Sequence, residues 1–148
     1  MKQLSITTSV FVIAIAFLFT ACKKENQVPS ASISLGAPAN NAVISLDEAK
    51  QSVNFKWSVG PTSPMVTYRL RVWQLMQGQN GTSAMRDNEP IVDKSIDVNT
   101  ITISGMLTGP CKPPYLCDFV WNVAIIERDS NGTMKETIVS STGSFSVN

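Results

Sequence analysis

The stretch Phe119-Val120-Trp121-Asn122-Val123-Ala124-Ile125-Ile126-Glu127-Arg128 decides the fold. Phe119, Trp121, Val123 and Ile125 fall at every second position, so they share one face of an extended chain. A helix would need its apolar residues three and four apart. Working outward, Val53, Phe55 and Trp57 alternate with Asn54, Lys56 and Ser58, and Val66, Tyr68, Leu70 and Val72 share a face of residues 66–75. Shorter strands are predicted over residues 32–35, 91–96, 100–106 and 143–147. Between them lie turn-forming clusters: Gly36-Ala37-Pro38-Ala39-Asn40-Asn41, Gly60-Pro61-Thr62-Ser63-Pro64 and Asn131-Gly132. Asn-Gly between strand-like runs is a hairpin turn. No long stretch has a 3.6-residue period. The expectation is an all-β domain, a two-sheet antiparallel sandwich of about seven strands. Trp57, Trp121, Phe55 and Phe119 would form its core. Pro38, Pro61, Pro64 and Pro90 sit where they would shield strand edges from pairing with other chains.

Composition narrows the function classes. The chain has 148 residues, 12 Lys plus Arg, 11 Asp plus Glu, three Cys and no His. That length is one domain's worth of chain. Without His there is no imidazole base for a nucleophilic Ser, and no His-ligated metal. The near-neutral charge offers no basic field for nucleic acid. No Gly-rich phosphate loop occurs, and the acids Asp87, Glu89, Asp93 and Asp97 form no pair at a glycosidase spacing. Asp129-Ser130-Asn131-Gly132 places its Gly too early for a calcium loop. The expectation is a protein that is no enzyme and carries no cofactor or metal.

The N-terminus carries an address. Met1-Lys2 is positive, residues 10–19 are almost wholly apolar, and small Thr20-Ala21 follow. The apolar run is well short of the roughly 20 residues that span a bilayer, so residues 1–21 read as a cleaved signal peptide. Residues 22–31 are polar, small and interrupted by Pro29, which describes a flexible tether. The folded domain is expected over residues 32–148.

Leu18-Phe19-Thr20-Ala21-Cys22 resembles the lipobox of bacterial lipoproteins, with Phe19 where that family prefers Leu. The resemblance implies cleavage before Cys22 and acylation of Cys22, a tether to the membrane surface and no span of it. Lys23-Lys24-Glu25 resembles the surface-export signals of Bacteroidetes lipoproteins. It implies an outer-membrane lipoprotein that is surface-exposed more than periplasm-facing. Residues 31–148 resemble fibronectin type III-like or immunoglobulin-like domains of such surface proteins. The motifs are Val53-Asn54-Phe55-Lys56-Trp57, Tyr68-Arg69-Leu70-Arg71-Val72-Trp73, Phe119-Val120-Trp121-Asn122-Val123 and Gly143-Ser144-Phe145-Ser146-Val147. They implicate core packing and bring no catalytic residues. Residues 76–88 depart from a minimal type III domain by inserting a Gly/Asn loop and a helical turn, Ser83-Ala84-Met85-Arg86.

Two candidate binding sites follow. Cys111 and Cys117 bracket Lys112-Pro113-Pro114-Tyr115-Leu116, and in an exported protein the default is a disulfide. The stapled loop is either a plain connection or a binding loop, with Pro113-Pro114 extending the backbone and Tyr115 offering contact. Arg69, Arg71 and Trp73 fall on the strand face opposite Tyr68, Leu70 and Val72, beside Val120, Asn122, Ala124 and Ile126. That face is either a partner site rich in hot-spot residues, or a surface covered by residues 76–88, or a crowded solvated face with Arg stacked on Trp73. The expected role is binding or structural, toward a protein or glycan. In a carbohydrate-binding variant of this reading, Trp73 and Tyr115 would stack on sugar rings.

Overall fold

The computed structural model describes residues 31–60, 66–107 and 111–148. The signal segment, Cys22, the tether up to residue 30 and most of the Gly60-Pro64 loop lie outside the described residues.

In chain order the elements are β1 (Ile33–Ala37), β2 (Ala42–Ile44), α1 (Leu46–Gln51), β3 (Ser52–Val59), β4 (Thr67–Met76), α2 (Gly81–Asp87), β5 (Val92–Ile96), β6 (Thr100–Ser104), β7 (Tyr115–Arg128), β8 (Met134–Val139) and β9 (Gly143–Val147). One sheet runs β1-β3-β6. The other runs β2-β9-β7-β4-β5, with β8 also paired to β7. The all-β two-sheet sandwich is therefore present, with nine strands. The two strands beyond the expected seven are β2 and β8. β2 has only three residues and pairs parallel to β9, with Ala42 opposite Phe145 and Ile44 opposite Val147. β8 is the return limb of the Asn131-Gly132 hairpin. Gly132 takes a φ of 81°, and its N–H donates to the Asp129 carbonyl at 2.9 Å.

α1 is a short helix that period-2 reasoning passes over. Ser45 caps it by accepting the Glu48 N–H at 3.2 Å, and Asp47 and Glu48 place negative charge in its first turn.

The alternation in β3 buries Val53, Phe55 and Trp57 and exposes Asn54, Lys56 and Ser58. Those three meet Leu70 and Val72 of β4, Phe119, Trp121, Val123 and Ile125 of β7, and Phe145 and Val147 of β9 in one core. Phe55 sits edge-on to Trp121 at 5.2 Å and to Phe145 at 6.0 Å, while Phe119 stacks on Phe145 at 5.0 Å. Trp57 is edge-on to Tyr68 at 5.5 Å. Such pairings add to the area that each ring removes from water. Gly143 leaves room for this packing: a Cβ there would lie 2.5 Å from Trp121 Nε1 and 3.0 Å from Leu35 Cδ1.

Phe55 links the two sheets through two aromatic partners at once. Phe55→Ala should therefore cost about 3–5 kcal/mol, a large share of a domain's typical stability, read as a lower urea midpoint at unchanged slope.

Candidate binding surface

β7 is buried on both faces from Phe119 to Ile125, unlike β3. Its inward residues belong to the core. Its outward residues Val120, Asn122 and Ala124 are covered from the solvent side. α2 provides part of that cover, resting on β4 and β7. A Cβ at Gly81 would come within 2.9 Å of Val120 Cγ1, so glycine lets the helix sit close. Met85 lies over Asn122, its Sδ 3.9 Å from the Asn122 Nδ2 and 3.8 Å from the Thr142 hydroxyl.

Local sequence explains why α2 forms there. Asn80 accepts the Ser83 N–H at 2.9 Å, and Ser83 Oγ accepts the Asn80 N–H at 3.0 Å, a reciprocal capping box. The segment is closed at its base by the Gln79 and Asn88 amides, which bond each other twice at 2.9 Å. Gln79 Oε1 also accepts the Met76 N–H, and Asn88 Nδ2 donates to the Gln74 carbonyl at 3.1 Å. Both ends of the insertion are thereby tied to the end of β4.

This geometry places the first candidate set. Trp73 is paired in register with Val120 and is only 4% exposed, so its indole is not open to a partner. Arg71 stacks over it, with the guanidinium carbon 5.5 Å from the ring centroid. Of the three readings of this face, the insertion's cover and the Arg-on-Trp stack are both realised. Arg69 and Arg71 are spent on ion pairs. Arg69 grips Asp93 with two nitrogens, at 2.7 and 2.6 Å, and reaches Glu136 at 3.1 Å; Arg71 reaches Glu136 at 2.9 Å. Asp93 lies on β5 and Glu136 on β8, so the arginines of β4 bridge across β7. The strand beneath them presents Ala124, fully buried and opposite Arg69 in the register. Two polar atoms here have no partner, Arg71 Nε and Asn122 Oδ1, on residues that face each other in the ladder.

Glu136 completes this cluster, and sequence reading did not reach it. The available signal was the Asn131-Gly132 turn, which folds residues 134–139 back along β7. A bulge at Ile125/Ile126 sets the final register. That shift brings Glu136 opposite Ile126 on the outer face, a placement no local pattern discloses.

The second candidate set sits at the end of the sandwich where β4 finishes and β7 starts. Cys111 and Cys117 form the expected disulfide, with Cα atoms 5.4 Å apart. Pro113-Pro114 was expected to extend the backbone, but the loop doubles back as a turn, the Tyr115 N–H donating to the Lys112 carbonyl at 2.8 Å. The cross-link is the reason: an extended connection of this length would span about 20 Å, and the bridge holds the ends far closer. The loop is also fastened to β4. Gln77 donates its N–H to the Pro114 carbonyl at 2.7 Å, and Gln74 Nε2 donates to the Leu116 carbonyl at 2.8 Å. Tyr115 stands out of this frame, 49% exposed. In the ladder Tyr115 lies opposite Met76, three residues beyond Trp73 on β4. Among the described residues no three His, Cys, Asp or Glu side chains gather as a metal site.

Two outcomes check this account. The Arg69 guanidinium holds the Asp93 carboxyl below the usual carboxylate range. The contribution is therefore complete above about pH 4 and is lost as pH falls through the lowered folded-state value. Asp93→Asn should cost under about 1 kcal/mol at pH 7, because Arg69 and Asp93 are both more than a third exposed, and the cost should fade toward pH 2 and in high salt. Parallel urea titrations of the two proteins across that pH range would show it. For the loop, Cys111→Ser with Cys117→Ser should lower stability by about 2 kcal/mol through the freed unfolded chain.

Compared with known proteins, the chain matches no family model and none of the curated proteins.

Proposed function

We propose that the chain is a lipid-anchored module of the bacterial cell envelope, with a non-catalytic binding or structural role carried by its disulfide-closed loop. The support for export is twofold. Leu18 to Cys22 reads as a lipobox, and the Cys111–Cys117 disulfide belongs to an oxidising compartment. In this reading acylated Cys22 is the membrane partner, and Lys23-Lys24-Glu25 favours the cell surface. The sheet order, β1-β3-β6 against β5-β4-β7-β9, supports a fibronectin type III-like or immunoglobulin-like domain.

The observation that carries the proposal is polarity. The chain enters the domain at Ser32, whose carbonyl accepts the Gly60 N–H at 2.8 Å, at the end where β3 finishes and β4 starts. Tyr115 pairs with Met76 at the far end of β4. Ten strand residues separate the two ends, about 30 Å. A membrane anchor on the N-terminal side would then hold Tyr115 away from the bilayer. Tyr115 is a good anchor for a partner: a large ring with few torsions, on a backbone already fixed by a disulfide and two hydrogen bonds. A protein partner fits better than a glycan, because the second stacking ring of a sugar site, Trp73, is covered.

The test is made in cells. Cys22→Ser should move the protein from the membrane to the soluble fraction; unchanged fractionation would remove the lipid anchor from the proposal. A photo-crosslinking residue at Tyr115 should yield a discrete adduct on intact cells, and the same residue at Asn131, at the opposite end, should not. Equal labelling at both positions, or none at either, would refute a binding role for the loop.

A further inference from the structure

One lateral side of the sandwich is open. β1 is the last strand of its sheet, and its second edge has no strand partner among the described residues. Across from it, β8 gives way to β9. Between them lies a half-open cleft of about 460 Å³, lined by Ile33, Leu35, Pro38, Asn40, Ser141 and Thr142 among others. None of its lining residues is charged.

The backbone of β1 decides what this cleft suits. β1 and β3 are antiparallel, with Ile33 opposite Val59, Ser34 opposite Ser58 and Leu35 opposite Trp57. In such a ladder, hydrogen-bonded and non-bonded pairs alternate. The Gly60 N–H bonds the Ser32 carbonyl, so Ser34 is the next residue turned toward β3. The amide and carbonyl groups of Ile33 and Leu35 therefore point the other way, into the cleft. Ile33 and Leu35 direct their side chains into the core, and Ser34 lies outward. At the back of the cleft stands Gly143, and directly behind it Trp121, whose buried indole N–H has no acceptor. Ile33 and Leu35 thus offer backbone donors and acceptors two residues apart, and an extended polypeptide matches that spacing with both kinds of group.

We propose that the cleft binds a short, uncharged, extended peptide segment of another protein, which adds to β1 as an extra strand. About three residues would lie along 33–35, before the register shift between Leu35 and Ala37. Their side chains alternate as those of β1 do, one row outward and one row inward. The inward row meets Leu35 and Gly143 and takes small apolar residues. The main-chain bonds supply attraction, and the inward row supplies selectivity. This site is separate from the Tyr115 loop and does not depend on it.

The probe is a displayed library of random linear peptides, selected on the full chain in detergent and resynthesised for titration. The expected result is enrichment of uncharged sequences with alternating apolar residues, and protection of the Ile33 and Leu35 amides from hydrogen exchange on binding. Methylating the peptide at one backbone nitrogen that faces β1 should weaken binding about tenfold, one hydrogen bond's worth. Ser141→Trp, at an exposed position of the lining, should weaken it at least as much by filling the cleft. Leu35→Pro removes one cleft-facing N–H while leaving the β3 ladder its donors, and should do the same. No enrichment, or binding that Ser141→Trp leaves unchanged, overturns the proposal. So does binding that appears only when the chain is shortened to begin at Ala31, which would place the chain's own preceding segment in the cleft. Saturable binding of a neutral oligosaccharide in place of peptide, abolished by Ser141→Trp, would also overturn it.

Discussion

The contact of Phe55 with Trp121 and Phe145 joins two sheets that share no backbone hydrogen bonds. Backbone ladders hold strands within a sheet, but only side chains hold one sheet to the other. A sheet pair spaced about 10 Å apart needs large rings to fill the gap without voids. β3 supplies Phe55 and Trp57 from one side, and β7 and β9 supply Phe119, Trp121 and Phe145 from the other. Gly143 belongs to the same constraint, because its missing side chain is the space the Trp121 indole uses.

A second layer is built on the outer face of the larger sheet. There the central strand carries Val120 and Ala124, too small or too apolar to serve as a solvated surface, with the buried amide of Asn122 between them. The sheet covers them in two ways. α2 lies over Val120 and Asn122, and the Arg69 and Arg71 side chains reach over Ala124 to Glu136. The long aliphatic stems of arginine cover apolar surface while their charged ends find carboxylates. The face first marked as a partner surface thus owes its composition to packing on itself. Arg71 on Trp73 has the residue types of a hot spot and the burial of a core.

Much of this was legible along the chain. The alternation in residues 53–57, 66–75 and 119–128 placed the inward rings correctly. The Cys111/Cys117 pair and the Asn131-Gly132 turn were legible because each depends on a few neighbouring residues. Ser83–Arg86 showed its helical turn, but not what the turn rests on. The course of the Pro113-Pro114 segment was not legible, because the disulfide overrides the extended preference of proline. β2 and α1 were too short for any periodicity to announce them.

The division has a physical cause. Period-2 alternation, turn chemistry and cap residues are properties of neighbouring residues, so the sequence by itself determined an all-β sandwich, its inward faces and its staple. Whether an outward residue is exposed is a property of what crosses above it. Arg69 meets Glu136 across 67 positions of chain, and a one-residue bulge in β7 and β8 is part of what brings them together. Only the tertiary structure decided that Trp73 is covered and that Tyr115 stands at the pole opposite the chain's entry. It alone left the edge of β1 open beside an uncharged cleft. Those are relations between segments far apart in the chain, set by which strands become neighbours and which edges do not.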